Sequence, residues 1–207
     1  MKAQPLIISL VVLVTALVPA TSHALDAQAR DDQLSHSSPL TVVKGGLIID
    51  GTGAPAYEGE VWIRGRVIEK VMRGGSEVMP SGARIIDAQG RVVAPGFIDP
   101  HSHGDPLVTP AFENFLAQGV TTITLGQDGS SPVVEGFPTL FEQYEALGLG
   151  VNVAMFVGHG SLRAASSVGQ NPAPSPAEFE EMATLLEAAL DYTFGMSSGL
   201  ELSLIHI

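Results

Sequence analysis

Pro95-Gly96-Phe97-Ile98-Asp99-Pro100-His101-Ser102-His103 decides how the rest of this chain is read. A Pro-Gly pair punctuates the backbone, and a short apolar run then leads into two histidines one residue apart. The run predicts a strand over residues 97–103. Side chains two apart on a strand leave on the same face, so both imidazoles are expected to point one way. Two neutral imidazoles on one face can share a metal ion, and zinc accepts nitrogen and carboxylate ligands. A bare His-x-His is a weak signal. Its weight here comes from position, because it closes a β-rich stretch and opens a strand–helix alternation. In parallel barrels the C-terminal ends of the strands form the reactive rim.

Upstream, residues 40–94 alternate short β-rich runs with tight turns. Val42-Val43, Leu47-Ile48-Ile49, Val61-Trp62-Ile63, Val67-Ile68, Ile85-Ile86 and Val92-Val93 are separated by breakers such as Asp50-Gly51, Arg64-Gly65 and Gln89-Gly90. This predicts a small β-sandwich subdomain with Trp62 in its core. Further upstream, Lys2 precedes an apolar run over residues 6–18, shorter than the ~20 residues a membrane span needs. Ser22-His23-Ala24 supplies a small-x-small cleavage site. Residues 1–24 are therefore expected to be a signal peptide cleaved after Ala24, and residues 25–39 a flexible polar leader. The expected location is periplasmic or secreted, with no membrane span after cleavage. His23 and His36 fall in these segments and are set aside as ligands.

Downstream, the apolar spacing predicts helices over 111–118 and 140–147 and strands over 120–125, 151–157 and 192–198. Ser175-Pro176-Ala177-Glu178 is a capping box with proline in the first turn, and predicts a helix running to about Leu190. Repeated strand–helix units imply a parallel sheet, as a barrel or a doubly wound sheet. A complete eight-unit barrel takes about 250 residues. Residues 95–201 hold roughly half of one, so the chain by itself is expected to lack turnover and to be poorly soluble.

Composition sets further bounds. With 45% hydrophobic and 15% charged residues, the 207-residue chain can bury a sizeable core. A net charge of −12 with ten dispersed basic residues argues against nucleic acid as a partner. Cysteine is absent, so neither disulfides nor thiolate ligands contribute.

The segment around His101 and His103 resembles the first-strand signature of the amidohydrolase superfamily, and Gly46-Leu47-Ile48-Ile49-Asp50-Gly51-Thr52-Gly53 resembles the opening of that family's small β-sandwich. Gln118-Gly119-Val120-Thr121-Thr122, Gly126-Gln127-Asp128-Gly129, Gly158-His159-Gly160-Ser161-Leu162-Arg163 and Gly195-Met196-Ser197-Ser198-Gly199-Leu200 are similar to the D-aminoacylase (N-acyl-D-amino-acid deacylase) group. The resemblance implies an α/β fold, the N-terminal part of a (β/α)8 TIM-like metal-dependent hydrolase barrel behind the β-sandwich. It implies one or two Zn2+ ions, His101 and His103 as metal ligands, and an N-acylated D-amino acid as the small-molecule substrate. Many members carry a cysteine ligand where this chain has Asp128. Asp128 is thus read either as a carboxylate ligand or as a turn residue of its loop. His159 and Arg163 are candidate substrate-binding residues, or else hydrogen-bond partners of neighbouring loops. Asp99 either orients an imidazole or bonds within the barrel floor, and Asp105 reads as a loop residue.

The family's catalytic aspartate and further histidine ligands belong to later strands and cannot be mapped here. Residues 202–207 depart from the Tyr-x-Pro-Gly-like turn with which the family continues. They are read as an atypical tail, a truncation artefact, and His206 receives no role. Two alternatives stand beside deacylation: a cyclic amidase of the dihydroorotase or hydantoinase type or an isoaspartyl-dipeptidase-like enzyme, and a non-catalytic exported binding protein on a degenerate hydrolase scaffold.

Overall fold

The computed structural model describes residues 38–75, 78–132 and 134–199, and the backbone of residues 8–10. The expected signal peptide, leader and atypical tail lie almost wholly outside these residues. The chain divides into two units, residues 1–96 and 97–207. Among the described residues no helix is long and apolar enough to cross a membrane.

The first unit is one sheet. After the short β1 (Ile8–Leu10) come β2 (Leu40–Ile48), β3 (Tyr57–Arg64), β4 (Val67–Arg73), β5 (Arg84–Asp87) and β6 (Val92–Pro95). The strand order is β1-β6-β2-β3-β4, with β5 also beside β2. The meander β2-β3-β4 is antiparallel, whereas β5 and β6 run parallel to β2. Val43, Ile48, Val61, Ala88 and Val93 make the core of this unit. Trp62 is a correction to the sequence reading. It follows the core residue Val61, so strand alternation turns it to the other face. There it is half-buried, donates its indole N–H to Glu60 Oε2 at 3.0 Å, and lies under Lys70 Nζ at 5.2 Å.

The second unit alternates strand and helix: β7 (Phe97–Asp99), α1 (Glu113–Leu116), β8 (Val120–Leu125), α2 (Phe137–Leu147), β9 (Asn152–Met155), β10 (Val157–Gly158), α3 (His159–Ala165), α4 (Pro176–Leu190) and β11 (Met196–Ser197). All pairings are parallel, β7-β8-β9 and β10-β11. Phe156 joins β9 to β10. Its N–H donates to Leu125 O at 2.9 Å, while Val157 N–H donates to Gly195 O at 3.0 Å. Residues 152–158 thus act as one strand between β8 and β11, and four parallel strands follow in chain order.

Along β8, Thr121, Ile123 and Leu125 are buried and their alternates are half-buried. Ile123 and Leu125 pack in one core with Phe112, Phe137, Tyr144, Leu162 and Ala189 from the intervening helices and turns. Burying a side chain such as Phe137 contributes about 1.5–3 kcal/mol. This core fixes the helices to one face of the sheet and leaves the strand ends free to carry loops.

Several elements differ from the sequence reading, among them the strand expected over 192–198, which is confined to Met196–Ser197. The strand expected over 97–103 stops at Asp99, because Pro100 has no N–H for the ladder and Asp99 Oδ1 accepts the His101 N–H at 3.1 Å. The ladder is touched once more, where Ser102 N–H donates to Thr124 O at 3.1 Å. The first helix covers only Glu113–Leu116, since Phe112 sits at φ 44, in the left-handed region, with its ring in the core. Residues 159–165 form a helix that the glycine-rich sequence did not announce.

Candidate metal centre

The loop after β7 carries His101 and His103, and the loop after β8 carries Asp128. His103 Nε2 lies 3.0 Å and His101 Nε2 3.4 Å from Asp128 Oδ2. The two rings are 5.4 Å apart at 60°. One ligand atom from each of the three residues lies within 4.8 Å of the others, and this is the metal-competent cluster found among the described residues. The imidazole side chains are 57% and 67% exposed, so the site opens to solvent. Its convergence comes from the loop geometry just described, not from strand alternation, because both histidines lie beyond the end of β7.

The donor set fits a divalent ion. Zinc binds imidazole nitrogen and carboxylate oxygen at about 2.0–2.2 Å, which puts two ligands of a tetrahedral ion about 3.4 Å apart. The His101 separation of 3.4 Å equals that edge, and the His103 separation of 3.0 Å is shorter than it. Three protein donors also leave coordination positions open, as catalytic sites do.

Polar side chains under the cluster bind the two loops together. Gln127 Nε2 donates to Pro100 O at 3.0 Å and to Thr124 Oγ1 at 2.8 Å, and Thr124 Oγ1 donates to Asp99 O at 3.3 Å. Gln127 therefore spans from the Asp128 loop to the residue before His101. The sequence reading gave Gln127 no role, and only its place beside Asp128 hinted at one. Asp99 sets the turn at His101 through its side chain instead of reaching a ring. Asp105 accepts the Leu107 N–H at 2.9 Å and so caps its own loop. A cavity of 450 Å³ adjoins His103 and is lined by Asp105, Gln127, Ser131, Leu140, Tyr144 and Met155, among others. Burial, and then the charge of Asp105, push the Tyr144 hydroxyl above its ordinary pKa.

His159 and Arg163 sit one turn apart on α3. Burial, followed by the Arg163 charge, holds the His159 imidazole below its ordinary pKa, so the neutral form is favoured. Arg163 Nη2 donates to Asn171 O at 2.7 Å, tying the guanidinium to the segment ahead of α4. Neither residue belongs to the His101–His103–Asp128 cluster.

No family model matches the chain. An N-acyl-D-glutamate deacylase of Alcaligenes xylosoxydans xylosoxydans is 34% identical over 182 residues, covering 77% of this chain and 37% of that protein. An N-acyl-D-aspartate deacylase from the same organism is 33% identical over 76% of this chain and 36% of that protein. Among solved structures, an N-acyl-D-glutamate deacylase from Bordetella bronchiseptica, complexed with zinc and a phosphonate mimic of the tetrahedral intermediate, superposes with a TM-score of 0.69. It is 32% identical over 79% of this chain and 39% of its own. A D-aminoacylase structure described as defining a novel subset of amidohydrolases gives 0.68 at 33% identity, over 77% of this chain and 38% of its own. The chain thus spans little more than a third of the length of the relatives it matches.

Proposed function

From its place in the D-aminoacylase group of the amidohydrolase superfamily, we infer that this chain supplies part of the active site of an enzyme that hydrolyses the amide bond of N-acyl-D-amino acids. Water would cleave the C–N bond, giving a carboxylic acid and a free D-amino acid. The observation that carries this reading is the meeting of His101, His103 and Asp128 at the ends of adjacent parallel strands. Zinc is the proposed ion, and when bound there it supplies Lewis acidity to the scissile carbonyl. The two neutral imidazoles would hold it through Nε2, and the Asp128 carboxylate would offset part of its charge.

Relatives of similar sequence act on N-acyl-D-glutamate and N-acyl-D-aspartate by name, and this supports a small N-acylated amino acid as substrate here. His159 is the better candidate for a substrate contact, since the Asn171 bond gives Arg163 a loop-holding role. We place the protein in the periplasm or outside the cell, on the strength of Lys2, the apolar run over 6–18 and the small-x-small site at Ala24.

The test is an assay of the complete gene product, purified with zinc, against a panel of N-acyl-D-amino acids. Release of free D-amino acid, abolished by a chelator and restored by zinc, is the expected result. Hydrolysis of a hydantoin or an isoaspartyl dipeptide with none of the N-acyl-D-amino acids would overturn the substrate assignment.

A further inference from the structure

The metal ligand Asp128 sits on a backbone that other parts of the fold must hold in place. Its φ is 56, in the left-handed region. Aspartate tolerates this region better than most side chains, but it is held there by what surrounds it. The restraint is visible in β11. Ser197 Oγ donates to Gly126 O at 2.5 Å and accepts the Gly129 N–H at 3.1 Å. One hydroxyl thereby ties together both ends of Gly126-Gln127-Asp128-Gly129. Backbone packs against the same turn from two further sides. A Cβ on Gly199 would stand 2.3 Å from Asp128 O, and one on Gly158 would stand 2.4 Å from Gly129 O. Gly160 and Ser161 N–H groups both donate to Gly129 O, at 2.8 and 3.3 Å.

We propose that Ser197 is a positioning residue for the metal site: its hydroxyl closes the Gly126–Gly129 turn and so fixes the left-handed conformation that aims the Asp128 carboxylate at His101 and His103. This rests on the metal reading given above. Ser197 itself contacts backbone, and its influence on the ion is through Asp128. Alanine at this position can neither donate nor accept, whereas threonine keeps the hydroxyl. Its neighbour Ser198 is exposed and provides a control.

The experiment is equilibrium dialysis of the full chain against Co2+, which reads bound metal whatever the association state. Hydrogen exchange at the Gly129 amide is measured alongside in the metal-free chain. Ser197→Ala is expected to weaken cobalt uptake by about 10–100-fold, the range for removing a partner that orients a ligand. It should also speed exchange at Gly129. Ser197→Thr should keep both near the parent values, and Ser198→Ala should change neither. Unchanged uptake in Ser197→Ala, with loss in Asp128→Ala, would overturn the positioning role and leave the metal reading standing. A parent chain that takes up no cobalt, or an Asp128→Ala variant that binds as the parent does, would overturn the metal reading and the inference with it. If Ser197→Ala does not fold, Ser197→Val is compared with Ser197→Thr, which has the same shape and keeps the hydroxyl: weaker uptake and faster Gly129 exchange in the valine variant support the positioning role, and equal values overturn it.

Discussion

Asp128 lies within 3.4 Å of both imidazoles, and its carboxylate is the one negative charge in the cluster. Replacing it with asparagine keeps the size and removes that charge. Asp128→Asn is therefore expected to weaken zinc binding by at least about tenfold, more than a second-layer change costs at the lower end. Equilibrium dialysis against zinc reads this directly, and uptake equal to the parent would remove Asp128 from the ligand set. His159 gives a separate prediction about pH. Its folded pKa is lowered from 6.5, so as pH falls the unfolded chain takes up the proton first. Its effect on stability is absent well above pH 6.5, and stability is lost as pH falls through 6.5 toward the lowered value. His159→Gln should flatten the fall in unfolding midpoint between about pH 7.5 and 5; a midpoint that falls as steeply in the variant would count against this. At this scale the sequence revealed what was local. The His-x-His pair was legible because its spacing lies within one short loop. Asp128 remained open between ligand and turn residue, because its partners lie on the preceding strand's loop. It is in fact held in a turn and aimed at the histidines. Trp62 lies outside the core because it alternates with the buried Val61 along β3.

Helix α4 and helix α3 show opposite ways of starting a helix. In α4 the Ser175 side chain accepts the Glu178 N–H, and the Glu178 carboxylate accepts the Ser175 N–H at 2.7 Å. The Ser175 backbone N–H and, next, the Ser175 side chain hydrogen-bond the Glu178 carboxylate and hold it below its ordinary pKa. Everything that starts this helix lies within four residues, and its observed span, Pro176–Leu190, follows the sequence signals. Ser175→Ala leaves the Glu178 N–H without its side-chain partner and is expected to cost about 1 kcal/mol. Urea unfolding followed by circular dichroism measures this, and an unchanged midpoint would mean that tertiary packing alone defines the start of the helix. Helix α3 has no side-chain cap, and its first amides are met by Gly129 O from another loop. Such a start depends on a contact distant in sequence, which is why Gly158-His159-Gly160 reads locally as a turn. The shortened α1 has the same origin, because Phe112 accepts a left-handed backbone in exchange for burying its ring.

Across the whole molecule the strands of the second unit set a problem of unpaired edges. Among the described residues β7 pairs only with β8, and β11 only with β10. Both edges expose apolar side chains: Phe97 and Ile98 at 49% and 63%, Phe194 and Met196 at 68% and 45%. Parallel sheets are normally covered on both faces, and an open edge with apolar neighbours is a template for pairing with another chain. The strand–helix alternation made a parallel sheet legible from sequence, but the pairing of residues 152–158 with two different neighbours was not, since it depends on the break at Phe156. We predict that the 207-residue chain self-associates at micromolar concentration, through these edges. Light scattering coupled to size exclusion should give a mass above that of one chain. Charged substitutions on the edges, Ile98→Lys with Phe194→Lys, should lower it. A parent chain that elutes as a monomer and unfolds in one cooperative transition would show that the open edges are tolerated and overturn this prediction.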